Sequence, residues 1–310
     1  MAAFFKFRKP APAPSVAEAS APPAAPAPAA TLRVGMGQLL VEGGEPERNL
    51  DRAARMIAEA AGHGCDVVLL PETLDFAWTH PSALAEAQPI PGRYSDRLCQ
   101  EAVRHGVYVC AGLTERAPDG RNYNAALLIS PQGDILTKYH KINLLTVEQP
   151  YYAVGQTLNV VDTPLGKIGV NICADNFLDG LPIGHTLARM GAEFILSPSS
   201  WTVDYSITEE DDPYREKWIK PYSILAQLYN VAVVGTTSVG YIVGGPYEGK
   251  KSVGCSLAVD ASGIRARGTF NEFAGDLVVA DLPRPVRTEK GTQIGEMLQR
   301  KGYRFDQLPR

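Results

Sequence analysis

The sequence predicts an α/β fold in the form of a four-layer αββα sandwich, with two β-sheets inside and helices on both outer faces. From residue 32 onward, short apolar or β-branched runs alternate with longer amphipathic stretches, which is typical of strands separated by helices. The order strand, helix, strand, helix, strand, hairpin occurs twice. Two sheets that each have one apolar face bury those faces by packing together. A single doubly wound sheet with two edge hairpins is the alternative, and the paired hairpins favour the sandwich.

The elements of each half follow from hydrophobic periodicity and turn residues. In the first half they are a strand at 32–39, a helix at 49–61, a strand at 66–70, a helix at 95–104, a strand at 107–112 and a hairpin of 125–130 with 135–139. In the second half they are a strand at 167–172, a helix at 183–190, a strand at 193–196, a helix at 213–229, a strand at 231–236 and a hairpin of 252–259 with 264–267. Both hairpins turn through short segments that contain Gly and Asp.

Composition is that of one globular domain, which we expect to begin near residue 32. The chain has 310 residues, of which 45% are hydrophobic and 21% charged, so it can bury a sizeable core. A net charge of −4 without a Lys/Arg stripe argues against nucleic-acid binding. Five widely spaced cysteines with no C-x-x-C pair indicate a reducing, cytoplasmic setting and no structural zinc. No apolar run approaches the roughly 18 residues that cross a bilayer.

The two ends of the chain differ from this domain. Residues 1–31 are rich in Ala and Pro, bury no core and are predicted to form a disordered arm. Basic residues and prolines interrupt any apolar stretch there, which argues against a signal peptide. Membrane-surface or partner binding by residues 4–8 is the alternative role of this arm. Residues 286–310 are predicted to be a C-terminal extension.

Glu72 directly follows the predicted strand at 66–70, after Pro71. Ligands of α/β folds bind at strand ends, and partial burial raises a carboxyl pKa toward the range of a general base. A helix-capping or surface glutamate is the alternative interpretation.

Cys173 closes the predicted strand at 167–172 and leads into a polar elbow, Ala174-Asp175-Asn176. A thiol at such an elbow can face a pocket on a rigid backbone. The alternative is a small buried hydrophobe, the usual role of cysteine. The other four cysteines, which we place in a turn, a helix and strand interiors, fit that role: Cys65, Cys99, Cys110 and Cys255.

Lys141 lies just past the end of the first hairpin. An ordinary thiol pKa of about 8.5 leaves little thiolate at neutral pH, so a nucleophilic cysteine needs a base and a nearby cation. Glu72 can take the thiol proton, and Lys141 can stabilise the thiolate and an oxyanion. Lys138, by contrast, is interpreted as a solvated surface lysine.

The ordered set of these motifs resembles the nitrilase superfamily of carbon–nitrogen hydrolases, over residues 32–285. It comprises Leu69-Leu70-Pro71-Glu72, then Lys138-Tyr139-His140-Lys141, then Glu148 with Tyr152 and Gly155, then Gly169-Val170-Asn171-Ile172-Cys173-Ala174-Asp175. Glu72 precedes Lys141 by 69 positions, and Lys141 precedes Cys173 by 32. Each piece is short, and the specificity lies in their order and spacing.

The resemblance implies a Glu72–Lys141–Cys173 triad, with Glu148 as a second pocket glutamate. It further implies a thioester intermediate on Cys173, a backbone oxyanion donor at Ala174, and no metal or organic cofactor. A homodimer or larger assembly is implied as well, with the C-terminal segment at the interface.

The run after the nucleophile bears on the substrate. Nitrilases proper typically have Cys-Trp-Glu, so Cys-Ala-Asp favours a small amide or N-carbamoyl compound. The run lacks the Arg that many amidases have there. Candidate pocket residues are Trp201, Trp78, Phe76 and Asp175.

Other function classes remain open at this point. A nitrile hydrolase or a thioester-based acyltransferase would use the same triad. A catalytically idle interaction protein would have no need of it. A papain-like enzyme and a serine hydrolase are poorly supported, since the only histidine after Cys173 is His185, in a predicted helix, and no G-x-S-x-G elbow is present.

Overall fold

A computed structural model of the chain describes residues 30–286 and Arg300. The predicted arm therefore lies outside the described residues except for its last two positions, and the C-terminal extension except for Val286 and Arg300. The strands are β1 (Thr31–Gln38), β2 (Val67–Leu69), β3 (Tyr108–Arg116), β4 (Asn122–Ile129), β5 (Ile135–His140), β6 (Val160–Thr163), β7 (Gly166–Val170), β8 (Phe194–Pro198), β9 (Thr202–Val203), β10 (Ala232–Thr236), β11 (Val239–Tyr241), β12 (Lys251–Val253), β13 (Leu257–Asp260), β14 (Gly263–Arg267) and β15 (Asp276–Pro283). The α-helices are α1 (Pro46–Gly62), α2 (Ala83–Glu86), α3 (Arg93–His105), α4 (Pro182–Met190) and α5 (Lys220–Tyr229).

Two six-stranded sheets form the centre of the protein, with the orders β15-β1-β2-β3-β4-β5 and β14-β13-β10-β8-β7-β6. In the first sheet β1, β2 and β3 are parallel, and in the second β7, β8 and β10 are parallel. Hairpins β4–β5 and β13–β14 extend them in antiparallel fashion. Apart from β15, which follows the second half and joins the first sheet, each half thus builds one mixed sheet, as the repeated element order predicts.

The apolar faces of the two sheets pack against each other. One buried cluster joins Met36 and Leu69 of the first sheet with Val170 and Leu196 of the second. A separate cluster lies on the outer face of the first sheet, under α1 and α3, while α4 and α5 cover the second sheet. The predicted αββα sandwich is therefore confirmed.

The helices begin and end where their sequences dictate. Pro46, whose missing N–H is not needed in a first turn, starts α1, and its buried face includes the predicted Ala53, Met56, Ile57 and Ala60. Gly106 ends α3 with a φ of 65°, a left-handed conformation that glycine adopts without strain.

The predicted helix at 213–229 is wrong in its first half. Residues Arg215–Ile219 form a π-helical turn, and only then does α5 begin. Pro221 stands at the start of α5, where it has no N–H to bond back to the preceding turn. A wider turn accommodates that missing bond, and it places Trp218 in a buried position.

The predicted strand at 252–259 is also wrong, because the chain breaks at Cys255, whose φ is 63°. Cys255 therefore lies in a junction between β12 and β13 rather than in a strand interior. The strand β12 pairs with β9 and β11 in a small third sheet that the hydrophobic pattern does not predict. The edge strands β6 and β15 were likewise not predicted.

Three strand ends position the candidate site. Glu72 follows β2, Lys141 directly follows β5, and Cys173 follows β7 in the facing sheet. The backbone N–H of Glu72 donates to the carbonyl of Ser199, just beyond β8, at 3.2 Å, so the two sheets are connected at this end.

Candidate active site

Glu72 and Lys141 form a buried ion pair. The Lys141 Nζ donates to Glu72 Oε1 at 2.8 Å, and neither side chain is accessible to solvent. Burial of a single charge would be strongly unfavourable, so each group depends on the other to remain in the interior. Their close contact follows from the positions of the strand ends that carry them.

Glu148 is the third charged group of this cluster. It lies in a 3₁₀ turn, Thr146–Glu148, and its Oε1 accepts from Lys141 Nζ at 2.8 Å and from Trp78 Nε1 at 2.7 Å. Its Oε2 accepts from the backbone N–H of Leu145 at 2.8 Å. Both oxygens are thus engaged, which fixes the carboxylate and, through it, the ammonium of Lys141.

Asn124 was missed by the sequence reasoning. Its Nδ2 donates to Glu72 Oε1 at 2.6 Å and contacts Glu148 Oε1 at 3.3 Å. Asn124 lies on β4, and its carbonyl accepts from the Lys141 N–H at 2.9 Å. A polar residue in a buried strand that pairs with the strand leading to Lys141 was the available signal. Asn124 and Lys141 together hold Glu72 Oε1, whereas Glu72 Oε2 has no partner among the described residues.

The electrostatics of the cluster suit proton transfer. Burial raises the pKa of Glu72, with Lys141 opposing the rise and Glu148 adding to it. Burial acts against the charged form of Lys141, but the carboxylates of Glu148 and Glu72 outweigh it and raise the pKa of Lys141 well above its ordinary value. The ammonium is therefore retained, while Glu72 can exchange a proton.

Cys173 occupies a strained backbone position with a φ of 45°. It begins the 3₁₀ turn Cys173–Asn176, and its N–H donates to Ser197 Oγ at 3.1 Å. Its Sγ lies 4.0 Å from the carbonyl oxygen of Ser200. Burial and the charge of Glu72 raise the pKa of the Cys173 thiol well above its ordinary value, against the opposing effect of Lys141. The resting thiol is therefore protonated, and its reaction requires a base.

Asp175 organises the elbow and does not line the pocket beside Cys173, which corrects its assignment as a pocket residue. Its carboxylate accepts from Tyr139 Oη at 2.7 Å, from the Asn143 N–H at 2.8 Å and from the Ile172 N–H at 2.9 Å. These bonds fix the turn that carries Cys173. Within the described part of the chain, no hydrogen bond occupies the N–H of Ala174.

The pocket that contains Cys173 has a volume of about 340 Å³, and both Trp78 and Trp201 line it. Phe76 does not line it, and its assignment as a pocket residue is wrong. Phe76 lies in the core outside the first sheet, where its ring meets Tyr94 edge to face at 5.8 Å. The position of a residue just after a strand does not reveal whether its side chain faces the site or the helical layer.

No helix within residues 30–286 is long and apolar enough to span a membrane. All five cysteines are free thiols.

Comparison with known proteins places the fold and the family. Among solved structures, a carbon-nitrogen hydrolase from Helicobacter pylori has a TM-score of 0.71 at 18% identity, covering 90% of this chain and 95% of the other. An amidase from Nesterenkonia sp., with the acetamide moiety of fluoroacetamide added covalently to its active-site cysteine, has a TM-score of 0.68 at 19% identity, covering 82% and 90%. At these identities the likeness establishes the shared fold.

Sequence relatives point the same way. An omega-amidase of Xenopus tropicalis is 29% identical over 183 residues, 56% of this chain and 65% of the relative. A nitrilase of Pyrococcus abyssi is 34% identical over 167 residues, 52% of this chain and 62% of the relative. The matched region thus spans less than two thirds of each relative. The carbon-nitrogen hydrolase family model matches residues 33–290. The chain belongs to the carbon-nitrogen hydrolase family.

Proposed function

We propose that the protein hydrolyses a carbon–nitrogen bond of a small amide or N-carbamoyl compound through a thioester on Cys173. The observation that carries the proposal is the buried Glu72–Lys141–Glu148 cluster, which interacts electrostatically with a thiol that opens onto a pocket. Family membership and the amidase relatives support the same reaction.

In the first step the Sγ of Cys173 attacks the carbonyl carbon, and Glu72 takes the thiol proton. Because burial raises the pKa of Glu72, the carboxyl holds this proton well enough to pass it to the leaving nitrogen. The carbon–nitrogen bond then breaks, the amine leaves, and a thioester remains. The ammonium of Lys141 and the N–H of Ala174 stabilise the oxyanion that forms in between.

In the second step Glu72 removes a proton from water, the water oxygen bonds to the thioester carbon, and the carbon–sulfur bond breaks. The thiolate regains its proton from Glu72. A second cavity, whose lining includes Glu72, Trp78 and Ser238, has a volume of about 20 Å³ and room for about one water molecule near Glu72. The unpartnered Glu72 Oε2 is the oxygen that remains available for these transfers.

The test is ammonia release from aliphatic amides, ω-amides, N-carbamoyl amino acids and matching nitriles. We expect release from one amide-type class by the unaltered protein and by Cys255→Ala, and none by Cys173→Ala. Cys255 is the matched control because it is also a buried free thiol with a left-handed φ, outside the pocket. Equal activity of Cys173→Ala would overturn the proposal.

The same panel separates the alternatives. Preferential hydrolysis of nitriles would favour the activity named for the Pyrococcus relative. Transfer of the acyl group to an added amine in place of water would indicate an acyltransferase. Silence of the whole panel, with an intact fold, would favour an interaction protein.

The proposal includes a cytoplasmic location and assembly as a homodimer or larger homo-oligomer that involves residues 286–310. Free thiols are the expected state in a reducing compartment, which supports the location. Light scattering of the full chain and of a chain ending at residue 285 tests the assembly, and an unchanged number of subunits after truncation would remove that segment from the interface.

A further inference from the structure

Six of the fifteen described residues that line the pocket beside Cys173 are aromatic. The six that line it come from widely separated parts of the chain: Trp78, Phe177, Trp201, Tyr214, Trp218 and Tyr247. Four of them are buried and the other two are half-buried. Such a wall presents ring faces and edges that favour contact with another apolar or aromatic group.

These rings are held in place by contacts with one another. Trp201 stacks on Trp218 with ring centroids 4.4 Å apart and planes at 17°, and Phe177 meets Trp218 at 5.0 Å. On another side, Trp78 meets Tyr247 edge to face at 5.0 Å. The hydroxyl of Tyr214 donates to the carbonyl of Trp201 at 3.1 Å, so this polar group is already engaged. The wall is therefore preformed.

Charged groups are scarce around this pocket. Among the described residues that line it, Glu216 and Lys217 alone carry charges, and both are exposed at its outer end. Glu216 is paired with Lys220 at 2.7 Å. Lys141, the nearby buried cation, does not line the pocket and is already paired with Glu72 and Glu148. A substrate carboxylate held deep in the pocket, away from the reacting amide, would therefore find no buried cation among the described lining residues, which is strongly unfavourable.

The size of the pocket admits a ring. A cavity of about 150 Å³ is enough for benzene in a protein core, whereas this pocket has about 340 Å³. The remaining volume accommodates a short linker and the reacting amide.

We propose that the pocket binds the acyl group of the substrate and that this group is neutral and aromatic, as in an aryl-alkyl amide. This inference rests on the proposed function. The inference extends the proposed function by naming the substrate class. It also assigns the recognition of the aromatic ring to the stacked pair Trp201–Trp218.

The experiment compares three amides that differ only beyond the reacting end: 3-phenylpropanamide, propanamide and succinamate. We expect kcat/KM for 3-phenylpropanamide to exceed that for propanamide by at least about tenfold, and that for succinamate by more. Trp218→Leu should reduce the preference for the phenyl compound about tenfold. Arg215→Ala, on the same π-helical turn but outside the pocket, should retain it.

Binding provides a measurement that needs no turnover. We expect Cys173→Ala to bind 3-phenylpropanamide more tightly than the other two amides by titration calorimetry. If Cys173-dependent hydrolysis is found but succinamate or propanamide is preferred, this inference fails and the proposed function stands. If Cys173→Ala binds the phenyl compound preferentially while the unaltered protein hydrolyses neither these amides nor any compound of the wider panel, the pocket's preference for a neutral aromatic group stands and the proposed function fails. Equal binding of all three overturns the inference even if Trp218→Leu does not fold.

Discussion

Gly112 lets β3 pass close behind the proposed general base. A Cβ at this position would lie 2.5 Å from Glu72 Cα, 2.8 Å from the Thr73 nitrogen and 2.9 Å from the Pro71 oxygen. All three are backbone atoms, so none can rotate away. Ordinary contact begins near 3.4 Å, and Gly112→Ala therefore forces a movement of about 0.9 Å (3.4 − 2.5) between β3 and Glu72.

A displacement of about 1 Å in a catalytic group reduces activity by roughly 100-fold. We therefore expect Gly112→Ala to lose about 100-fold in kcat/KM, equivalent to about 2.7 kcal/mol of transition-state stabilisation. The assay is steady-state ammonia release with the best amide, alongside thermal unfolding of the same preparation. Gly62→Ala is the control, because a Cβ there meets nothing within 4 Å. A folded Gly112→Ala protein with kcat/KM within twofold of the unaltered enzyme would refute the reasoning.

Three further substitutions test other parts of the structure. Burial raises the pKa of Glu72, and the charge of Glu148 adds to the rise. Glu148→Gln should therefore move the acid limb of the pH profile of kcat/KM to lower pH and reduce the plateau of that profile at least about tenfold. An acid limb at unchanged pH would contradict this. Burial raises the pKa of Asp75 from 3.8 to about 7, so the folded protein holds this proton more tightly than the unfolded chain. The free energy of unfolding therefore decreases as the pH rises between those two values. The free energy of unfolding, measured with denaturant, should therefore fall toward neutral pH in the unaltered protein and fall less in Asp75→Asn. The difference should be about 4 kcal/mol at most, and parallel curves for the two proteins would refute this reasoning. Gly235→Ala places a Cβ 2.1 Å from Tyr222 Oη and 3.0 Å from the Trp201 ring, so KM for an aryl-alkyl amide should rise, whereas an unchanged KM would show that the wall is not disturbed.

The sequence predicts two of the strand ends well because a change from apolar to polar residues marks them. Glu72 and Cys173 stand at such a change, whereas Lys141 follows a strand end that is already polar and is marked by the preceding hairpin turn. The αββα arrangement follows from the same pattern, since helix and strand periodicities differ clearly.

Other features depend on tertiary contacts that leave no local pattern. The hairpin of β4 with β5 is predicted, but the hydrogen bonds of Asn124 to Glu72 and Glu148 also require the end of β2 and the turn at Thr146–Glu148 to meet it, which nothing near Asn124 in the sequence specifies. The third sheet has strands of two or three residues, too short to show a period. Phe76 was placed by its nearness to Glu72, although neighbouring residues after a strand face different layers.

The pairing of β1 with β15 joins two strands that are far apart in the sequence, and this affects the chain during synthesis. The antiparallel register runs from Thr31 opposite Pro283 to Gln38 opposite Asp276, so the outer edge of β1 is paired only after the much later β15 has been synthesised. Until then β1 presents open backbone groups of the kind that recruit other chains. A nascent chain that has reached residue 275 contains every residue of the proposed catalytic cluster but not β15, which closes its first sheet. The segments that supply this cluster and the segment that protects β1 from aggregation are therefore different, and the protecting segment is synthesised later.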